Sequence, residues 1–174
     1  TNTCCLLPVR AIEKLGRDAD GEMLVNLESG SFTDVPQSAF DKALDAASAA
    51  PGAYRFEKMT SGRYLGKLSR LALIAAAKDG LFAPETADKL RALDVLTAAD
   101  ADAFGADPDC GAIAALSDAA DADRKTAAMV IQSVFGRAAK AIVANIAAIV
   151  FLTDGAKNRY RPMVVAVDGS LFRY

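Results

Sequence analysis

Residues 51–82, PGAYRFEKMTSGRYLGKLSRLALIAAAKDGLF, decide how the rest of the chain is read. After a break at Pro51-Gly52, the stretch holds a carboxylate, Glu57, in a short helical turn of mixed polarity. Ser61-Gly62 interrupts that turn, and a cleaner amphipathic helix starts near Arg63. From there Tyr64, Leu65, Leu68, Leu71, Ala72 and Ala75 recur at three and four residues, which gives a helix one apolar face. Gly80 sits past the last periodic residue, where a left-handed residue commonly closes a helix. Gly62 and Gly66 flank the helix start, where backbone without a Cβ can approach another backbone or a ligand.

Around this stretch lies a chain of 174 residues, 52% hydrophobic, with no tryptophan. That length suits one domain or a large part of one, with a core of small aliphatic side chains. Its many alanines favour helix. The net charge of −2 supplies no basic footprint, so nucleic acid is not expected as a partner. Histidine is absent, which removes histidine triads, HExxH zinc sites and a histidine general base. Any chemistry must use carboxylates, hydroxyls, amides, lysine or bound ions. Cys4, Cys5 and Cys110 are an odd set without zinc-ligand spacing, and a reducing cytoplasmic setting fits them best. Cys4 and Cys5 read as small strand residues on opposite faces.

On the N-terminal side, residues 1–10 read as extended, and residues 16–21 as a turn. Glu22–Glu28 then alternates as a second strand, giving an antiparallel hairpin. Glu28 ends that strand just before Ser29-Gly30-Ser31; taken alone it reads as a solvated turn acid. Val35-Pro36 opens an expected helix carrying Gln37, Phe40, Leu44 and Ala47 on one side.

On the C-terminal side, Ala83-Pro84 starts a short helix through Leu93. Thr97, with Asp100 three residues on, has the features of an N-cap for a helix to about Phe104. Cys110–Leu116 looks like another short helix. Asp118, Asp121 and Asp123 lack the central glycine and closing glutamate of a calcium loop and read as helix N-terminal acids. Residues 124–152 keep a helical period, with Gly136 marking a break or a close contact. Its apolar end, Ala138–Leu152, is 15 residues long, short of the roughly 20 a membrane span needs, so a core helix is expected. Lys157, Arg159 and Arg161 read as solvated surface, and Met163–Val167 as a buried strand leading to Asp168-Gly169-Ser170. Three strands are too few for this many amphipathic helices, so further sheet is expected from elsewhere in a larger protein.

Several motifs, in order, resemble the hexokinase family. TNTCC resembles the end of that family's GTGTN turn and following strand; LVNLESG resembles the strand ending in a sugar-binding glutamate. FDKALDAASAAPGAYRFEKMTSGRYLG resembles the run through a second such glutamate, and VVAVDGSLFRY the late phosphate-binding strand and turn. The resemblance implies an α/β fold, a helix-rich portion of the large domain of the actin-like, ribonuclease-H-like ATPase superfamily. Residues 1–174 would then be a single partial domain, with the small domain elsewhere.

By position, the resemblance makes Asn2, Glu28 and Glu57 sugar ligands, and Asp168, Gly169 and Ser170 the nucleotide phosphate turn. Two carboxylates and an amide suit a ring of hydroxyls, because they accept and donate in the same small volume. The family's catalytic base, an aspartate, lies upstream of the GTGTN turn and so is not expected among these residues. Ala98, Ala99, Ala101 and Ala103 stand where some members place polar nucleotide contacts. The implied activity is transfer of the γ-phosphoryl of ATP, with Mg²⁺, to the 6-hydroxyl of a hexose such as glucose, in the cytoplasm and away from membranes. The competing expectation is a non-catalytic sugar-binding or sensor module, or an inactive fragment.

Overall fold

Cys4–Pro8 (β1) and Glu22–Asn26 (β2) pair antiparallel, with Cys4 opposite Asn26 and Pro8 opposite Glu22. The computed structural model describes residues 2–15, 20–153, 156–160, 162–167 and 169. β1 runs into 3-10 turns at Val9–Ala11 and Glu13–Leu15, and Ser29–Ser31 forms another directly after β2. The expected hairpin is present.

Helices follow: α1 (Ala39–Ala46), α2 (Arg55–Thr60), α3 (Gly62–Lys78), α4 (Pro84–Ala92), α5 (Ala98–Ala106) and α6 (Asp121–Leu152). α1 begins after Ser38 rather than at Pro36. Ser38 and Asp41 form a reciprocal capping box, and that pair of bonds sets the start. Thr97 caps α5 as expected, accepting from the Asp100 amide at 3.1 Å. Asp121 and Asp123 occupy the first turn of α6, while Asp118 pairs with Lys89 at 2.9 Å.

α3 is the centre of the packing. The periodic face is buried at Leu65, Leu68 and Ala72, and a second face is buried at Leu73, Ala76 and Ala77. Each fully buried leucine contributes roughly 1.5–3 kcal/mol by leaving water. One cluster joins α3 to α4, α5 and the first half of α6 through Leu90, Phe104 and Ile131; a smaller one joins it to α1 and α6 through Leu44 and Val134. Gly66 is buried where α3 meets the residues before α5: a Cβ there would lie 2.3 Å from the Leu96 carbonyl oxygen and 2.6 Å from the Ala98 nitrogen. The expected close backbone approach therefore occurs at Gly66.

Four expectations are corrected. Cys110–Leu116 is not a helix; it contracts to a 3-10 turn at Ala114–Leu116. Gly136 does not break α6, and a Cβ there would meet nothing within 4 Å. Met163–Val167 forms no strand: it has no ladder partner among the described residues, and Val164 is 87% exposed. A strand without a neighbour leaves its N–H and C=O groups to water, so apolar content alone does not make one.

The fourth concerns α6. Its first half is core, with Ala127, Ala128, Ile131, Val134 and Ala138 buried, but the end expected to be core is not: Val143, Phe151 and Leu152 are exposed. By length and composition α6 could cross a membrane, and only 17% of its most apolar window is buried. A two-stranded hairpin is too small a layer to cover that face.

Candidate functional site

Asn2, Asn26 and Glu28 meet at the open end of the hairpin. Beyond the Cys4–Asn26 pair, the Leu27 amide donates to the Thr3 carbonyl at 2.9 Å, which brings Asn2 to the level of Glu28. Asn2 Oδ1 accepts from the Thr3 and Ser29 amides at 2.8 and 3.1 Å, so its Nδ2 is turned outward and donates to Asn26 Oδ1 at 2.6 Å. Asn26 Nδ2 in turn donates to Glu28 Oε1 at 2.5 Å, and Asn26 Oδ1 also accepts from the Glu28 amide at 3.2 Å. Two of the three expected sugar ligands are thus linked through one intermediate amide.

Glu28 adopts a left-handed backbone, φ 49° and ψ 40°. Tyr54, the residue before α2, does the same with φ 52°. Non-glycine residues hold this conformation at a cost of about 1–3 kcal/mol, and such strain concentrates at functional sites. Among the described residues, these two are the non-glycine positions with positive φ. One is a candidate ligand and the other launches the helix that carries Glu57.

α2 reaches the hairpin end by one backbone bond and one side-chain bond. The Phe56 amide donates to the Phe32 carbonyl at 3.0 Å, and Arg55 Nη1 donates to the Thr33 carbonyl at 3.2 Å, so α2 packs against the turn that follows Glu28. Glu57 is half-buried there; its carbonyl accepts from the Ser61 amide at 2.8 Å, and its carboxylate makes no hydrogen bond or ion pair with another described residue. Behind it, Lys58 Nζ is buried against Asp45 Oδ1 at 2.5 Å and the Ala50 carbonyl at 2.6 Å. The hydrogen bond from Lys58 is the main reason that the Asp45 carboxyl lies below the usual carboxylate range; burial opposes it.

A concavity of about 520 Å³ lies between the end of α1, the start of α3 and residues 94–98. Arg63, Lys67 and Arg70 line it together with Leu44, Leu71 and Leu96, and Thr97 and Ala98 close one side. That volume and mixed lining suit a small-molecule site. Gly169 has φ 142°, a value open to glycine and suited to the expected phosphate turn. Asp168 and Ser170 lie outside the described residues.

Sequence reasoning did not single out Asn26 or Asn145. Asn26 stood inside the LVNLESG motif without a role. Asn145 lies inside the apolar run Ala138–Leu152; its Nδ2 donates to Thr3 Oγ1 at 2.7 Å and to Ser29 Oγ at 3.4 Å, tying α6 to the hairpin end. A polar residue within the apolar run was the available signal.

The family model described as Hexokinase matches residues 1–174. Hexokinase-1 of Rattus norvegicus is 33% identical over 187 residues, covering 99% of this chain and 20% of that protein. Hexokinase-1 of Oryza sativa subsp. japonica is 32% identical, covering all of this chain and 38% of that protein. A solved hexokinase structure superposes with a TM-score of 0.71 at 26% identity, over 91% of this chain and 35% of that one. The hexokinase from Schistosoma mansoni, solved complexed with glucose, gives a TM-score of 0.69 at 23% identity, over 87% of this chain and 37% of that one. The chain spans well under half the length of these relatives, and its helix-rich arrangement is part of their actin-like ATPase fold. On the match along its whole length, this chain belongs to the hexokinase family.

Proposed function

We propose that this chain is the large-domain part of an ATP-dependent hexose kinase, and that Asn2, Glu28 and Glu57 bind the hydroxyls of the hexose. One observation carries the reading: α2 packs against the turn that follows Glu28, and the Glu57 carboxylate on α2 is half-buried with no partner among the described residues. Such a carboxylate accepts charge-assisted bonds from hydroxyls, the strongest class of hydrogen bond open to a sugar.

The nucleotide would occupy the concavity beside Thr97, with the apolar wall against a base and Arg63, Lys67 and Arg70 toward phosphate oxygens. Gly169 would let the backbone approach the phosphates in the turn at 168–170. Mg²⁺ fits as an ion carried by ATP, because it retains waters and needs few protein ligands. When bound, it would neutralise charge on the phosphates.

The hexose 6-hydroxyl oxygen would form a bond to the γ-phosphorus as the bond from that phosphorus to the ADP oxygen breaks. The hydroxyl proton would pass to an aspartate outside these residues. Positioning and exclusion of water would supply most of the acceleration, since water competes as acceptor. Exposed Cys4 and Cys110 thiols suit a reducing cytoplasm, and the buried first half of α6 suits a helix of a soluble domain.

Glucose-dependent ADP release by the protein carrying this chain tests the reading. ADP and a hexose 6-phosphate formed one for one are expected. Glucose binding without ADP release would favour the sensor alternative, and no glucose binding would overturn both.

A further inference from the structure

We infer that Asn26 is a positioning residue for the proposed hexose site, its amide holding Glu28 as acceptor and Asn2 as donor toward the same ligand. The inference rests on the reading of Asn2 and Glu28 as hexose ligands, which assigns no role to Asn26.

The bonds allow one orientation of the Asn26 amide. An ionised carboxylate has no proton to give, so the atom 2.5 Å from Glu28 Oε1 must be the donor Nδ2. Oδ1 is then the atom that receives Asn2 Nδ2 at 2.6 Å and the Glu28 amide at 3.2 Å, with the Cys4 thiol at 3.9 Å a weak addition. The Asn2 amide is fixed independently, because its Oδ1 already accepts two backbone N–H groups. Two separately determined orientations agree at the bond between Asn2 and Asn26.

This leaves a defined pair of open positions. Among the described residues, Asn2 Nδ2 uses one of its two protons on Asn26, and of the two Glu28 carboxylate oxygens Oε1 alone is engaged. A donor and an acceptor thus remain beside each other, joined through one side chain. A hydroxyl both donates and accepts, so a polyol or sugar meets the pair with its hydrogen bonds satisfied. Glu28 and Asn26 are both exposed, and without Asn26 the Glu28 side chain would be free to turn among its rotamers. Asn26 contributes by preorganisation and not by burial.

The test compares wild type with Asn26→Ala and Asn26→Asp by D-glucose titration, unfolding midpoint and the side-chain amide resonances of Asn2 and Asn26. Asp keeps the acceptor for Asn2 Nδ2 but sets a second carboxylate against Glu28. Asn26→Asp is therefore expected to weaken glucose binding about tenfold or more, and more than Asn26→Ala, at an unchanged unfolding midpoint. Glu28→Gln in the otherwise wild-type protein should move the Asn26 amide resonances.

Unchanged glucose affinity in Asn26→Asp, a loss that tracks a lower midpoint, or Asn26 resonances indifferent to Glu28→Gln would each overturn the positioning role. If wild type itself binds no glucose, the hexose reading fails instead. The amide resonances then still report whether Asn26 holds Glu28.

Discussion

Lys58, one position along α2 from Glu57, holds its Nζ 2.5 Å from Oδ1 of Asp45 in α1, and both residues are buried. Asp45 Oδ2 also accepts from the Gly52 amide at 2.9 Å, so one carboxylate fixes both the loop before α2 and the helix itself. Removing one partner of a buried pair leaves an uncompensated charge. Asp45→Ala is expected to lower unfolding stability by about 3 kcal/mol, read from denaturant midpoints. Lys58→Met, which removes the other charge but keeps the stem, should restore part of that loss in the double variant. An Asp45→Ala protein as stable as wild type would mean that the pair does not anchor α2.

Glu57→Ala should weaken hexose affinity or turnover by ~2 kcal/mol or more, as for lost charge-assisted bonds, and should leave the fold intact because the Glu57 carboxylate has no partner among the described residues. Calorimetry or a coupled kinase assay reads the first part, and a thermal melt the second. An unchanged glucose response would remove Glu57 from the site.

Two glycines of similar appearance in the sequence should respond in opposite ways. Gly66→Ala drives a methyl group into backbone atoms of Leu96 and Thr97 at 2.3 and 2.5 Å, and rigid backbone cannot yield as a side chain end can. A loss of about 3 kcal/mol is expected, with α5 displaced. Gly136→Ala meets open space within a continuous helix and should stabilise by up to about 1 kcal/mol. Paired melts of the two variants check the contrast.

Acid should unfold the helical core through two aspartates. Burial pushes the Asp41 carboxyl up, but hydrogen bonds from Arg137 and Ser38 together outweigh it and hold the group below the usual range. Asp45 is lowered chiefly by Lys58. A carboxyl with a lowered folded pKa contributes stability in full above its unfolded value of about 4, and loses it as pH falls toward the folded value. Stability measured from pH 6 downward should therefore be flat to about pH 5 and then decline. Arg137→Met should flatten part of the decline, since Arg137 meets Asp41 through two nitrogens at 2.5 and 2.8 Å. An identical acid profile in that variant would count against the pair.

Much of the architecture was legible from local chemistry. The hairpin, α3 with its two glycine landmarks, and the Thr97 cap follow from alternation, helical period and hydrogen bonds spanning a few residues. The first start chosen for α1 was wrong because Pro36 and Ser38 both suit a helix start, and the reciprocal bonds with Asp41 decide between them. Met163–Val167 and the end of α6 were misread for a different reason: apolar content states a preference for burial but supplies no covering layer. The candidate acids were recognisable only through their motifs, since an isolated glutamate before Gly and Ser has the composition of an ordinary turn.

By itself, the sequence determined where the main helices lie, though not the short segment Cys110–Leu116 or the start of α1, which two strands pair, and that the chemistry excludes histidine. These depend on periodicity, turn residues and composition, all of which act over short separations. Only the tertiary structure decided that Asn26 stands between Asn2 and Glu28, that Asn145 reaches Thr3 across the fold, and that the Glu57 carboxylate has no partner among the described residues. Such contacts join residues up to 142 positions apart. Their geometry follows from strand register and helix packing, which no local pattern encodes.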